Sequence, residues 1–344
     1  MSPPPDFAVS TIRRRAVQAA ATGLITAQPP QAGRSLPLIV RPALAGIDLC
    51  AWAQEQKPWL EEHLARHGAL LLRGFDVADA AAFEQLIDAT SSGQLLEYTY
   101  RSTPRSNVSG RIYTSTEYPP DMAIPLHNEN SYSRQWPMKL YFFSATAAAR
   151  GGETPLADSR RVYQRIPPEI RDRFAENGVR YVRNYRPGLD LPWQKVFQTD
   201  DPAQAEAFCR RNGIEFEWRD DGTLRTSQVC QAVARHPRTG EMVWFNQAHL
   251  FHVSALPAEI RDSLLSQFGE AHLPRNAYYG DGTPFEDRVL DEIRRVYQQE
   301  QVLTPWEEGD VLIIDNMLAA HGRMPYEGAR RVLVGMAEAV GDHG

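Results

Sequence analysis

A histidine and a carboxylate two residues apart are the clearest candidates for chemistry in this chain. His127 and Glu129 lie within the segment Leu126-His127-Asn128-Glu129-Asn130. In extended backbone, residues i and i+2 point to the same face, so this pair would present an imidazole beside a carboxylate. Two histidines and one carboxylate on one face of an octahedron, with the other positions open, form the ligand set of non-haem Fe(II) oxygenases. The tripeptide alone is a weak signal, and the hypothesis needs a second histidine.

His321 is the candidate for that second histidine. It follows Asp310–Asp315, an apolar segment that is typical of a buried strand, and Arg330 and Arg331 come nine and ten residues after it. The planar guanidinium group of arginine suits bidentate pairing with a carboxylate, so one of the two could hold a dicarboxylic co-substrate. Adjacent residues of a strand face opposite sides, and only one arginine can point inward. A surface histidine followed by solvated arginines is the alternative, but it leaves the co-occurrence of these features unexplained.

Short strand patterns and amphipathic helices surround these residues. The predicted strands are Ala69–Arg73, Lys139–Ala145, Val179–Tyr185, Met242–Asn246, Asp310–Asp315 and Arg330–Ala339. The predicted helices are Pro58–His67, one capped by Asp79, a short one capped by Asp158, Pro257–Phe268 and Pro284–Gln301. No internal repeat or clean linker interrupts them, although the length alone would suggest two domains. This pattern predicts a mainly β fold with flanking helices, built as one sandwich.

The domain organisation follows from local composition. Residues 1–37 are rich in Pro, Ala and Gln and are interpreted as a flexible N-terminal leader. Residues 38–344 are predicted to form a single domain. The segment 186–228, which carries Trp, Gln and Arg, is interpreted as an insertion that forms a lid over the site.

Charge and cysteine content exclude several classes of protein. The net charge is −6, which argues against a nucleic-acid or membrane-surface role that would require basic patches. No apolar stretch approaches the ~18 residues of a transmembrane helix. The three cysteines are scattered and form no C-x-x-C pair, which excludes a disulfide framework and a thiolate zinc site. These features predict a cytoplasmic protein.

Several separated motifs resemble one known family in the same order along the chain. They are Leu126–His127–Asn128–Glu129–Asn130, Gly151 through Arg160, Trp244 through His252, Tyr278 through Gly282, and Asp315 through Arg323. Together they resemble the taurine dioxygenase superfamily of Fe(II)/2-oxoglutarate-dependent oxygenases. The most similar branch is that of the syringomycin-pathway aspartyl hydroxylase, with clavaminate synthase more distant. The resemblance covers roughly residues 38–339 and implies a double-stranded β-helix (jelly-roll) core.

The resemblance also implies a metal and a co-substrate. His127, Glu129 and His321 match the positions of the iron ligands, and Thr154, in Gly-Gly-Glu-Thr, matches a threonine that meets a 2-oxoglutarate carboxylate. The expected cofactor is therefore Fe(II), with 2-oxoglutarate and O₂ as co-substrates. The commoner carboxylate ligand of the family is Asp, but clavaminate synthase-like members share the Glu.

The arginine that clamps 2-oxoglutarate is assigned to Arg330, with Arg331 as the alternative. Related sequences read as Arg, any residue and then an apolar pair, which matches Arg330-Arg331-Val332-Leu333. Asn246 is a candidate for contact with the substrate. His249 and His252 stand three residues apart and are interpreted as core or pocket histidines rather than as metal ligands. The role of Arg323 stays open.

The branch resemblance implies hydroxylation of an unactivated C–H bond in an amino acid, with the β-carbon preferred. The substrate could be free or tethered to a carrier protein, in specialised metabolism. Halogenases of the superfamily lack the carboxylate ligand, so Glu129 favours hydroxylation, while desaturation and epoxidation stay open. Two alternatives outside this chemistry are a catalytically silent β-sandwich that binds a small acid and a zinc hydrolase or isomerase.

Overall fold

Strands make up most of the framework of the structure, a computed structural model that describes residues 21–93, 96, 107–109, 111–115, 118–186 and 188–341. Within these residues the strands are β1 (Ile25–Gln28), β2 (Leu38–Pro42), β3 (Ala69–Leu72), β4 (Asn107–Ser109), β5 (Ile112–Thr114), β6 (Ile124–His127), β7 (Gln135–Thr146), β8 (Arg150–Gly151), β9 (Leu156–Asp158), β10 (Val179–Asn184), β11 (Glu215–Trp218), β12 (Leu224–Cys230), β13 (Val233–Arg235), β14 (Met242–Trp244), β15 (Arg275–Tyr279), β16 (Val311–Asp315), β17 (Ala319–Arg323), β18 (Tyr326–Glu327) and β19 (Arg331–Gly341). The helices are α1 (Leu49–Glu55), α2 (Lys57–His67), α3 (Ala80–Thr90), α4 (Ser159–Arg165), α5 (Pro168–Asn177), α6 (Trp193–Phe197), α7 (Pro202–Arg211), α8 (Ala248–Phe251), α9 (Ala258–Phe268) and α10 (Asp287–Glu300).

An eight-stranded sheet forms the centre of the fold. Its order is β1-β2-β3-β16-β7-β19-β5-β4, and its neighbours are antiparallel except for β2 and β3. Side chains of β7 alternate between its two faces, as the pleat requires. Leu140 and Phe142 pack in one apolar cluster, whereas Tyr141 and Phe143 pack in another with side chains of α1, α2 and α3. The sheet is therefore buried on both faces, with helices covering one of them.

A small three-stranded sheet, in the order β6-β17-β9, faces the other side of the large sheet. Leu156 and Ala319 of the small sheet share a cluster with Leu140 and Val334 of the large one. Towards β5 and the start of β19 the two sheets leave a cavity between them. The predicted mainly β fold with a jelly-roll core is confirmed.

The interpreted insertion is built into a second sheet rather than lying apart from the domain. Residues 186–228 contain α6, α7, β11 and most of β12, and the sheet order is β11-β12-β10-β15. All six residues of β10 pair with β12. This segment therefore has a structural role in the second sheet, and its action as a lid stays a prediction.

The sequence predictions and the structure differ most at the N-terminal boundary. Residues 1–20 of the interpreted leader lie outside the described residues, but Ile25–Gln28 form β1 and pair with β2. The ordered domain thus begins before Leu38, because Leu24 and Ile25 pack against the core beside the large sheet. The side chains of Asp79 and Asp158 cap α3 and α4 as predicted. In the described part of the chain, no helix is long and apolar enough to cross a membrane.

Candidate active site

Two neighbouring strands bring together the histidines that the sequence singled out. β6 and β17 are antiparallel neighbours, and His127 lies directly opposite His321 in their register. Their ring centroids are 4.5 Å apart. One potential ligand atom from each histidine and one from Glu129 all lie within 4.8 Å of one another. These three residues, called the metal cluster below, could therefore hold one metal ion.

Glu129 reaches this cluster from a turn rather than from a strand. β6 ends at His127, and the chain turns immediately afterwards, with Asn130 at a φ of 55°. The expectation that extended backbone aligns His127 and Glu129 is therefore wrong in its geometry. The two side chains converge because the turn folds the carboxylate back towards the strand end.

Asn316 fixes the backbone of that turn. Its Oδ1 accepts a hydrogen bond from the Glu129 N–H at 2.7 Å, and its Nδ2 donates to the carbonyls of Glu129 and Pro137, each at 2.9 Å. The Asn128 amide donates to the Asn316 carbonyl at 2.6 Å, and Gln247 donates to the Asn128 carbonyl at 2.7 Å. All four polar side chains are buried. Neutral hydrogen bonds therefore set the position of the carboxylate before any metal arrives.

The imidazole of His127 is oriented in a similar way. Its Nδ1 lies 2.8 Å from the Pro125 carbonyl, which accepts a proton from it. That bond selects the tautomer in which Nε2 is free of a proton and suited to a metal. Phe142 packs beside His321, with ring centroids 5.2 Å apart. The imidazole rings of His127 and His321 thus contact Pro125 and Phe142, which lie outside the sequence motifs that contain the two histidines.

The histidines of the metal cluster line the cavity between the two sheets. Its lining residues are Ser115, Ile124, His127, Phe142, Thr154, His321, Gly322, Arg323, Arg330 and Val332. Thr154 and Arg330, called the anion pocket below, therefore line the same cavity as the two histidines of the metal cluster. Ser115 and Phe142 were not anticipated, since nothing in their local sequence marks them.

Arg330 carries a positive charge into this cavity. Its Nε donates to the Gly152 carbonyl at 2.9 Å and its Nη1 to the Ser115 hydroxyl at 3.4 Å. Burial, followed by repulsion from Arg323, lowers the pKa of Arg330 to about 10, so it stays protonated at neutral pH. Among the described residues, no carboxylate forms an ion pair with it. A ligand carboxylate would supply the missing charge.

The neighbouring Arg331 points elsewhere. It is exposed and lines a separate surface cleft together with Asp79 and Glu308. The choice of Arg330 over Arg331 as the residue that faces the cavity therefore agrees with the geometry. Gly152 allows the contact, because its φ is +74° and a Cβ there would lie 3.0 Å from the Arg330 side chain.

Thr154 and Arg323 are both buried at the cavity. The Thr154 hydroxyl accepts a hydrogen bond from the Trp306 indole N–H at 3.2 Å. Arg323 donates to the carbonyls of Tyr118, Pro119 and Met122 at 2.6 to 2.9 Å. Arg323 therefore ties the segment that enters β6 to β17, which is a positioning role that the sequence left open.

Three other candidates lie away from this cavity. Asn246 is fully buried, and its amide donates to the Ala232 carbonyl and accepts from the Ala248 N–H. It does not line this cavity, its amide fixes the start of α8, and a substrate contact stays a prediction. His249 donates from Nε2 to the Leu126 carbonyl at 3.0 Å, and His252 Nδ1 lies 2.8 Å from the Ser254 hydroxyl. Both act as core histidines, as interpreted from the sequence.

Comparison with known proteins agrees with this arrangement. The model of the family "Taurine catabolism dioxygenase TauD, TfdA family" matches residues 32–337. The dapdiamide synthesis protein DdaC of Enterobacter agglomerans is 43% identical over 281 residues, which span 82% of this chain and 85% of that protein. A clavaminate synthase-like protein of Arabidopsis thaliana is 31% identical over 328 residues, which span 89% and 94% of the two chains.

The fold is similar to that of solved oxygenase structures. PvcB, an Fe, alpha-ketoglutarate dependent oxygenase from an isonitrile synthetic pathway, superposes with a TM-score of 0.55 at 17% identity. The match covers 93% of this chain and 94% of PvcB, and at this identity it supports the fold alone. The family match and the two relatives carry the assignment further. The chain belongs to the TauD/TfdA family and is a non-haem dioxygenase that depends on Fe(II) and 2-oxoglutarate.

Proposed function

We propose that His127, Glu129 and His321 hold Fe(II) and that Thr154 and Arg330 bind 2-oxoglutarate. The observation that carries this proposal is the shared cavity, which both histidines line together with Thr154 and Arg330. Two imidazoles and one carboxylate suit Fe(II) and leave coordination positions open. The charged Arg330 suits a dicarboxylate, because its partly buried guanidinium has no acidic partner among the described residues and so favours a carboxylate ligand.

The reaction in this proposal is hydroxylation of an unactivated C–H bond. Bound Fe(II), together with 2-oxoglutarate and O₂, would supply the oxidant for such a bond. Glu129 favours hydroxylation over halogenation, since it takes the position that halide would need. The chain's own part is to hold the co-substrate carboxylate at Arg330 and to keep water out with Phe142 and Val332, which line the cavity.

The substrate in this proposal is an amino acid, oxidised at its β-carbon. The support is the similarity to a dapdiamide synthesis protein over more than four-fifths of both chains, which favours a role in specialised metabolism. The amino acid is either free or bound to a carrier protein. Residues 186–228, as a lid, would contribute to the choice of substrate.

The first test is turnover. Succinate formation would be measured with Fe(II), 2-oxoglutarate and O₂ for each of the twenty free amino acids and for their carrier-bound forms. The masses of the products would be determined by mass spectrometry. We expect succinate with one amino acid and a product that has gained one oxygen atom. A product that has lost two hydrogen atoms would instead indicate desaturation.

Two other outcomes would contradict parts of the proposal. Turnover only with a sulfonate, a fatty acid or a nucleoside would refute the amino-acid substrate and leave the cofactor assignment intact. A visible charge-transfer band should also form when 2-oxoglutarate meets the Fe(II)-loaded protein without oxygen. If neither the band nor succinate forms, the assignment of the metal cluster and anion pocket is wrong.

A further inference from the structure

We infer that Trp306 is a positioning residue that makes the Thr154 hydroxyl a hydrogen-bond donor to the carboxylate of 2-oxoglutarate. The inference rests on the proposed function and deepens it. Its basis is one contact, from the Trp306 indole N–H to the Thr154 hydroxyl oxygen at 3.2 Å. Nothing in the motif that contains Thr154 indicates this tryptophan, which lies far away in the sequence.

The chemistry of the two groups fixes the direction of the bond. An indole N–H can only donate, whereas a hydroxyl can donate one hydrogen bond and accept others. Thr154 must therefore accept from Trp306, and its own proton has to point elsewhere. Among the described residues, no protein acceptor takes that proton. Thr154 is 6% exposed and lines the cavity shared with Arg330, so the proton is available to a ligand there.

The position of Trp306 is itself fixed on both sides. Arg73 donates to the Pro305 carbonyl at 2.5 Å and pairs with Glu307 at 2.8 Å. The Asp310 carboxylate accepts from the Glu307 N–H at 2.8 Å and from Arg73 through two nitrogens. Arg73 and Asp310 are both buried. A buried ion pair thus holds the residues before and after Trp306 and aims its indole at Thr154.

The polarity of the Thr154 hydroxyl matters because a carboxylate can only accept hydrogen bonds. A hydroxyl without the indole could rotate and accept from water, and that orientation would oppose a carboxylate. Removing the indole N–H should therefore weaken 2-oxoglutarate binding, and it should do so only by changing the orientation of the Thr154 hydroxyl. The iron ligands should be unaffected, since neither Trp306 nor Thr154 is one of them.

The experiment measures 2-oxoglutarate binding by calorimetry on the Mn(II)-loaded enzyme, in which no turnover occurs. The variants are Trp306→Phe, Thr154→Val, Thr154→Ser and the double variant Trp306→Phe/Thr154→Val. Loss of one hydrogen bond should weaken binding about threefold to tenfold in Trp306→Phe. The double variant should bind no more weakly than Thr154→Val alone, because the indole acts only through the hydroxyl. Thr154→Ser keeps a hydroxyl and should stay close to wild type.

The matched control is Trp59→Phe, which removes an indole N–H from another partly exposed tryptophan. It should leave 2-oxoglutarate binding unchanged, and Mn(II) affinity should be equal in every variant. Wild-type affinity in Trp306→Phe, or additive losses in the double variant, would overturn the inference while the proposed function stands. If the wild-type enzyme binds no 2-oxoglutarate at all, both fail. If Trp306→Phe does not fold, near-wild-type binding by Thr154→Val alone would overturn the inference.

Discussion

The metal cluster and the anion pocket share one cavity but are prepared for their ligands in different ways. In the metal cluster, neutral hydrogen bonds with Asn316 fix the backbone of Glu129, and a hydrogen bond donated to the Pro125 carbonyl fixes the imidazole of His127. In the anion pocket, Arg330 keeps a positive charge that burial disfavours, as its lowered pKa shows. The metal cluster therefore has its side chains in position before a ligand binds. The anion pocket instead carries a partly desolvated positive charge that a ligand carboxylate would neutralise.

This difference has a consequence for mutation. Substitutions in the metal cluster should lower metal affinity because the ligands lose their positions. Substitutions in the anion pocket should lower co-substrate affinity because a positive charge is lost. Each region has neighbours that serve as controls, because the chain offers residues of the same type pointing elsewhere. The predictions below are ordered from the largest expected effect to the smallest.

The largest effect is expected for His321→Ala. Removing one of three proposed ligands should lower Fe(II) affinity by more than the ~10–100-fold typical of an outer-shell change, and turnover should be lost. Fe(II) binding would be measured by anaerobic titration. His63→Ala, which alters a histidine stacked on Trp59 away from the cavity, should behave as wild type. Wild-type iron affinity in His321→Ala would remove this residue from the metal site.

The second effect separates two adjacent arginines. Arg330→Ala should weaken 2-oxoglutarate binding by at least about 30-fold, since losing one partner of a buried charge pair costs about 2 kcal/mol or more. Arg331→Ala should leave it unchanged, because Arg331 is exposed on another cleft. The measurement is the 2-oxoglutarate concentration dependence of succinate formation and of the charge-transfer band. The reverse ranking of these two variants would show that Arg331 is the clamp.

The third prediction concerns Asn316. Asn316→Leu removes the hydrogen bonds to the backbone of Glu129, so Fe(II) affinity should fall about tenfold as the carboxylate loses its fixed position. Asn246→Leu is the control, since it removes a second fully buried asparagine that also bonds only to backbone. Both variants should be less stable to urea, but only Asn316→Leu should bind iron more weakly. Equal iron affinities would reduce Asn316 to a general stabilising residue.

The smallest effect is expected from His249 and appears in the pH dependence of stability. Burial lowers the pKa of His249 from 6.5 to about 3. Between these values the unfolded chain binds a proton that the folded chain does not, so the free energy of unfolding falls as pH decreases below about 6.5. The slope from this group is at most about 1.4 kcal/mol per pH unit.

His249→Gln removes this titration and keeps a side chain that can donate to the Leu126 carbonyl. Urea unfolding of the wild type and the variant would be compared at pH 7.5, 6 and 5. The acid loss of stability should be smaller in the variant, since all other titrating groups are common to both. Parallel curves would show that His249 titrates normally in the folded protein.

The sequence predicted the elements that carry strong apolar patterns. The strand at Asp310–Asp315 was found nearly at its observed bounds, and Lys139–Ala145 lies within β7, which begins four residues earlier at Gln135; both are buried on two faces and consist largely of apolar residues. β17 was not predicted, since Ala319–Arg323 contains His, Gly and Arg that are buried only by the surrounding sheets. The types of residue in the metal cluster were visible in the sequence.

The contacts that position those residues were not visible. Asn316 and Gln247 act on the turn around Glu129 from segments that are distant in the sequence, so no local pattern reveals them. Trp306 reaches Thr154 in the same way. The substrate role expected for Asn246 came from its motif alone, and the motif did not reveal the two backbone partners that the structure gives its amide.

The direct pairing of His127 with His321 means that the proposed metal site depends on the complete topology. The chain between them forms β7, the whole second sheet and β16 before β17 returns to β6. Such distant pairing forms late in folding, because long loops must close first. A partly folded chain therefore offers at most His127 and Glu129 and retains iron poorly. If the proposed ligands are correct, the protein would acquire a redox-active metal only once the strands that enclose the cavity are in place.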